Sequence, residues 1–237
     1  MLESFEKIPV QIYKNSTEGS NAVAAQIAAL IKEKQAKKLP CVLGMATGTT
    51  PILLYKELVR LHKEEGLSFK NVVTFNLDEY EGIGHSHPES YHMYMTKNFF
   101  LHTNLQQGNI HFPDKDYDKT INTLGGLDLV ILGIGHNGHI AFNEPGSSIT
   151  SRTRKVKLSK ETIDANSRFF KDSGEVPKSA FTMGMKTIRE SKRIILIANG
   201  PDKLDILNKC FNEDISKDRP ASILQVHPKI EVFYAPK

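Results

Sequence analysis

Residues 127–148 read LDLVILGIGHNGHIAFNEPGSS. A short apolar run bounded by glycine reads as a strand buried on both faces, and this one runs straight into a turn. In that turn Gly133, Gly135 and Gly138 supply backbone conformations that a side-chain-bearing residue would resist. His136, His139 and Glu144 are thereby presented at the carboxyl end of a strand, which is where open α/β sheets bind small molecules.

Working outward, the same kind of strand recurs upstream as VQIY from Val10, CVLGM from Cys41, NVVTFNL from Asn71 and NIHF from Asn109, and downstream as RIILIA from Arg193 and KIEVFYA from Lys229. Helical patterns lie between most of them. One starts at about Ser20 with Val23, Ile27, Leu30 and Ile31 on one face; one is opened by Pro51 with Leu54, Leu58 and Leu61 inward; one runs from about Pro88 to Leu101. This alternation predicts an α/β fold with a mostly parallel sheet covered by helices on both faces. A chain of 237 residues can bury one sizeable core, so a single domain spanning 1–237 is expected. The stretch from Pro145 to about Pro177 breaks the rhythm. It is polar, basic and longer than an ordinary connection, which suits an active-site lid or a disordered segment.

With 39% hydrophobic and 24% charged residues, the composition excludes disordered and fibrous classes. The net charge of +4 suits a phosphorylated small molecule without requiring a nucleic acid. The basic stretch SRTRKVKLSK, residues 151–160, has no interleaved aromatic residue and therefore no stacking platform for single strands; a solvated face is the plain reading. The amino terminus shows no leader pattern, and no stretch approaches the ~18 apolar residues of a membrane span. Cys41 and Cys210 read as core residues in a reducing compartment. No nucleic-acid or membrane partner is expected, and the protein is expected to be cytoplasmic.

Four groups of residues could carry chemistry. In MATGTTP, residues 45–51, small residues between a strand and a Pro-started helix let the N–H groups of Thr47, Gly48, Thr49 and Thr50 approach an anion at a helix amino terminus. A tight βα turn needs similar residues, and the Lys of a P-loop is missing. Asp78 and Glu79 follow a strand, where one carboxylate could act as a general base or the pair could cap the next turn. His139 with Glu144 could form a proton shuttle, the carboxylate setting the imidazole tautomer. His136 reads as a solvent-facing loop histidine, and no helical or Cys-based frame supports a zinc site made from it with His139 and His85 or His87. Arg168 and Lys203 are candidate partners for a phosphate, though each alone is equally an ordinary surface cation.

Taken in order, TGTTP, VVTFNLDEY, HPESYHMYM, GIGHNGHIAFNEPGSS, SRTR, ANSRFF and the Lys of NGPDK closely resemble the glucosamine-6-phosphate deaminase family, whose members couple aldose-ketose isomerisation to release of ammonia. The resemblance implies a three-layer, Rossmann-like open sandwich. It implies that Asp78, Asn137, His139 and Glu144 form the catalytic set and that residues 47–50 with Arg168 and Lys203 grip the phosphate. His139, supported by Glu144, would open the pyranose; Asp78 would move the proton from carbon 2 to carbon 1. No metal, nicotinamide or pyridoxal is implied. Asn137 stands where many members carry Asp; its amide can still orient the imidazole but lacks the charge, which leaves charge support to Glu144. Val156 replaces a Lys that helps bind the activator of allosteric members, and Lys237 ends the chain short of their extension, so a short, non-allosteric type is expected despite Ser147 and Arg154. The resemblance implies that small members lacking the extension can be monomers while larger ones assemble as hexamers, so a monomer or homo-oligomer is expected. The competing expectations are a 6-phosphogluconolactonase, which needs no base at carbon 2, and a catalytically silent sugar-phosphate sensor.

Overall fold

The computed structural model describes residues 8–167, 170 and 176–237. Its strands are β1 (Val10–Ile12), β2 (Cys41–Met45), β3 (Val72–Asn76), β4 (Asp78–Tyr80), β5 (Ile110–His111), β6 (Leu129–Leu132), β7 (Arg154–Lys157), β8 (Ser179–Thr182), β9 (Ile194–Asn199) and β10 (Ile230–Ala235). Its helices are α1 (Ser16–Ala36), α2 (Ile52–Glu65), α3 (Tyr91–Asn98), α4 (Tyr117–Thr123), α5 (Lys160–Ser167), α6 (Met185–Arg189) and α7 (Lys203–Phe211). Seven strands form an open sheet in the order β1-β10-β9-β6-β2-β3-β5, with every neighbour parallel.

The unbroken apolar runs follow from burial on two faces. Along β6, Leu129 and Ile131 pack into a core with Ile27 of α1 and Leu58 of α2, while Val130 and Leu132 face a second core with Ile188 of α6 and Leu207 of α7. Residues Ile194 to Ala198 of β9 alternate between the same two cores. Successive side chains on a strand point to opposite faces, so a strand covered on both sides shows no polar alternation.

From β2 the chain winds outward to β3 and β5 on one side, and from β6 to β9 and β10 on the other. The junction between β2 and β6 is therefore the topological switch point. The two strands pair only at Leu43↔Leu129 and Gly44↔Val130. Gly44 permits that contact, because a Cβ there would meet Val130 Cγ2 at 2.9 Å. Beyond it the strand ends separate and open a crevice.

Two features add to what the sequence pattern marks. The acidic tripeptide after Leu77 forms the strand β4, and within the segment 145–177 the described residues include β7 and α5. β4, β8 and β7 form a second, antiparallel sheet in that order. RKVK in β7 exposes alternate residues, which is why it reads as a solvated basic face. Helix ends shift as well. Asn15 caps α1 by accepting from Glu18 N at 2.9 Å, and Ser90 caps α3 by accepting from Met93 N at 3.0 Å, so α1 begins before Ser20 and α3 after Pro88.

Candidate active site

The crevice is a cavity of about 330 Å³ at the carboxyl ends of β2, β3 and β6. Residues 46–50, Leu77 and 133–136, together with His139, Ala141 and Phe142, line it from the loops that follow the main-sheet strands, and Asp78 lines it from the start of β4; Tyr91 of α3 and Thr162 and Asn166 of α5 complete it. The structure thus brings Asp78, His139 and residues 47–50 to one cavity. Tyr91, Phe142, Thr162 and Asn166 were not singled out from sequence. Asn166 lies in the quoted ANSRFF motif, and the i,i+4 spacing of Thr162 and Asn166 puts them on one helix face.

In the turn after β2, Gly48 has φ of +91°, a conformation that favours glycine. Tyr55 and Tyr94 donate from their hydroxyls to the carbonyls of Ala46 and Gly48. Those bonds occupy loop carbonyls, while among the described residues nothing accepts from the N–H groups of Gly48, Thr49 or Thr50. Unpaired N–H groups at the start of α2 make an anion site. Lys203 begins α7 with Nζ 3.6 Å from Asp202 Oδ2, and that same carboxylate oxygen lies 3.6 Å from His136 Nδ1. This puts Lys203 beside the rim and not in the lining. Arg168 lies outside the described residues.

The two adjacent carboxylates divide the alternatives left open by the sequence. Glu79 accepts from the backbone N–H groups of Tyr80, Tyr91 and His92 at 2.8, 2.9 and 2.8 Å, and so caps α3. Asp78 faces the cavity with only 7% of its surface exposed, and its Oδ1 has no partner among the described residues. Burial, then the neighbouring Glu79 charge, push its carboxyl up to about 8 against an opposing Thr47 hydrogen bond.

On the opposite loop, His139 Nδ1 donates to Asn137 Oδ1 at 2.7 Å, and Asn137 Nδ2 donates to Glu144 Oε2 at 2.8 Å. A carboxylate only accepts, so the amide must turn its NH₂ to Glu144 and its oxygen to the imidazole. This leaves His139 Nε2 as the acceptor. The sequence expectation put Glu144 directly on the ring; instead Asn137 stands between them, with Glu144 Oε2 3.5 Å from Nδ1. Thr162 donates to the other oxygen, Oε1, at 2.8 Å. Burial raises the Glu144 carboxyl, but hydrogen bonds and charge from His139, with Asn137 and Thr162, outweigh it and hold the group at about 2. Glu144 is therefore a fixed anion behind the imidazole. The ring packs flat on Gly135, where a Cβ would lie 2.2 Å from His139 Cε1.

A family profile described as glucosamine-6-phosphate isomerases/6-phosphogluconolactonase matches residues 14–232. The glucosamine-6-phosphate deaminase of Clostridium acetobutylicum is 49% identical over 215 residues, 86% of either chain. Glucosamine-6-phosphate deaminase 2 of Bacillus subtilis is 48% identical over 218 residues, 87% of this chain and 88% of the relative. A solved monomeric glucosamine-6-phosphate deaminase superposes with a TM-score of 0.91 at 41% identity, covering 96% of this chain and 97% of its own. The 6-phosphogluconolactonase of Thermotoga maritima shares the fold at a TM-score of 0.74 and 18% identity.

Proposed function

The chain belongs to the glucosamine-6-phosphate isomerase/6-phosphogluconolactonase family, and within it we propose that this enzyme is a glucosamine-6-phosphate deaminase, converting glucosamine 6-phosphate and water to fructose 6-phosphate and ammonia. The deaminase relatives at 49% and 48% identity support that choice over a lactonase, since the solved lactonase of Thermotoga maritima is only 18% identical and its likeness shows the fold alone.

The observation that carries the reading is a pair of proton handlers, Asp78 and His139, facing one cavity from different strand ends. A sugar phosphate exposes an acidic proton at carbon 2 only after its ring opens, so the reaction needs two such groups. The N–H groups of residues 48–50, with Lys203 and Arg168, hold the phosphate. His139 Nε2 takes the proton of the anomeric hydroxyl and returns it to the ring oxygen, with Asn137 and Glu144 steadying the imidazole. Asp78 then removes the carbon 2 proton and delivers it to carbon 1. Water adds to the resulting imine at carbon 2 and ammonia leaves.

The segment around 145–177 acts as a lid within a single domain spanning 1–237. Its support is α5, whose Thr162 reaches Glu144 and whose Asn166 lines the cavity. A monomer is proposed by likeness to the solved monomeric deaminase. Among the described residues no helix is long and apolar enough to cross a membrane, and Cys41 and Cys210 are buried and free, which fits the proposed cytoplasmic location.

A coupled assay tests the reading. Purified protein given glucosamine 6-phosphate should release ammonia and fructose 6-phosphate in equal amounts. Hydrolysis of 6-phosphogluconolactone without ammonia release, or sugar-phosphate binding with no turnover of either compound, would overturn it.

A further inference from the structure

We infer that Arg154 is a positioning residue for ring opening, holding the loop that carries Glu144 by way of the buried amide of Asn143. The inference rests on the deaminase reading above and deepens it.

Asn143 is fully buried and immediately precedes Glu144. Its Nδ2 donates to Met183 O at 2.9 Å and to Ile140 O at 3.0 Å, which leaves Oδ1 in need of a donor. Arg154 Nη1 supplies it at 2.9 Å, reaching across from β7, and Nη2 lies 3.5 Å from Ser147 Oγ on the far side of Glu144. The guanidinium therefore brackets the Glu144 backbone through its neighbours on both sides. Between His139 and Asn143 the chain makes a tight turn, with Asn143 N bonded to Ile140 O at 3.1 Å and Ala141 at φ of +50°. A non-glycine residue in that region persists only where its surroundings hold it.

Two facts separate this from an ordinary surface arginine. Arg154 is half-buried with neutral oxygens as its hydrogen-bond partners, and burial lowers its pKa, with no carboxylate among the described residues opposing the shift. A cation placed so costs stability. The register of the small sheet also links this contact to the other proton handler. Thr182 of β8 pairs with Arg154 on one side and Asp78 on the other, and its hydroxyl accepts from Phe142 N at 3.1 Å. One strand position thus fixes the carbon 2 base and the ring-opening loop together.

The experiment compares the full chain with Arg154→Met and Arg154→Lys. Misplacing a catalytic group by about 1 Å costs up to ~10²-fold, so kcat for glucosamine 6-phosphate should fall about 10- to 100-fold in Arg154→Met. Affinity for the reduced substrate, an amino alcohol that cannot close its ring, should change by less than about 2-fold, as expected when uniform binding is untouched. The ¹⁵N spectrum of His139 should lose its single Nδ1–H tautomer pattern, and Arg154→Lys should recover part of kcat. Unchanged kcat, or kcat and open-chain affinity falling in step, overturns the inference. If the methionine variant does not fold, the lysine variant decides: it keeps the charge but lacks the fork needed to reach two acceptors, so parental kcat and a parental spectrum would overturn the proposal. The spectrum needs no substrate. Absence of turnover in the parent chain would count against the deaminase reading, and a spectrum unaffected by substitution would count against the role of Arg154.

Discussion

At the scale of single residues, the site depends on what surrounds Asp78 and His139. Asp78 is buried beside Glu79 and held near 8, so its proton is retained across a range in which an unfolded chain has lost it. The native stability this contributes is complete below about pH 4 and is lost as pH rises through about 8. Asp78→Asn removes the buried charge. The variant should melt higher than the parent at pH 8, by about 2–4 °C per kcal/mol recovered, with the gain vanishing toward pH 4. A difference in melting temperature that does not vary between those limits would contradict the burial argument. For the free enzyme, kcat/KM should rise with pH along a limb well above the ordinary carboxylate range. His139 is placed by packing as much as by hydrogen bonds. Gly135→Ala puts a methyl where the imidazole lies, and kcat should fall about 100-fold with little loss of fold stability; a variant with parental kcat would show that the ring tolerates displacement. That Glu144 lies close to His139 was legible in the sequence. The order His139–Asn137–Glu144 was not, because spacing along a loop does not say which of two polar side chains turns inward.

At the scale of elements, the central strands β2, β6 and β9 were legible because each is buried on both faces and reads as an apolar run; the edge strands β1 and β5 are only partly buried and were legible from their place in the alternation with helices. The second sheet was not. All three strands are short and antiparallel; β4 is buried but carries two carboxylates, and β7 and β8 are partly exposed, so neither periodicity nor hydrophobicity distinguishes them from loops. That sheet is nonetheless what supports Asp78 and Arg154. The start of α2 was legible from Pro51 and the small residues before it, and it carries a prediction about phosphate. Charge-assisted hydrogen bonds contribute about 1.5–3 kcal/mol each, so unphosphorylated glucosamine should be a very poor substrate. Lys203→Ala should raise the Michaelis constant for glucosamine 6-phosphate while glucosamine itself remains poor. Comparable turnover of the two sugars would remove residues 47–50 from phosphate binding.

At the scale of the molecule, stability and chemistry occupy opposite ends of one sheet. Asp128 enters β6 at its amino end, where it accepts from Lys34 at 2.6 Å, Lys192 at 2.8 Å and Val42 N at 3.0 Å. Burial raises its carboxyl, but the bonds from Lys192 and Lys34 prevail and hold it low. Its stabilising effect is present at neutral pH and is lost as pH falls below the ordinary carboxylate range. Asp128→Ala should cost about 1–3 kcal/mol, measured by denaturant unfolding, and leave kcat per folded molecule intact; a large loss of kcat would mean that the two ends are coupled. At the carboxyl ends the strands separate between β2 and β6, and the groups gathered there are poorly compensated among the described residues: an Asp78 oxygen without a partner, open N–H groups and a guanidinium on neutral acceptors. The proposed chemistry depends most on Asp78 as the base at carbon 2. The most direct measurement is turnover and binding of glucosamine 6-phosphate by folded Asp78→Asn protein, which keeps the shape of the side chain and cannot accept the proton. The rate of ammonia release should fall by ~10²–10⁴-fold while the dissociation constant stays within about 3-fold. Ammonia release at a near-parental rate would contradict it.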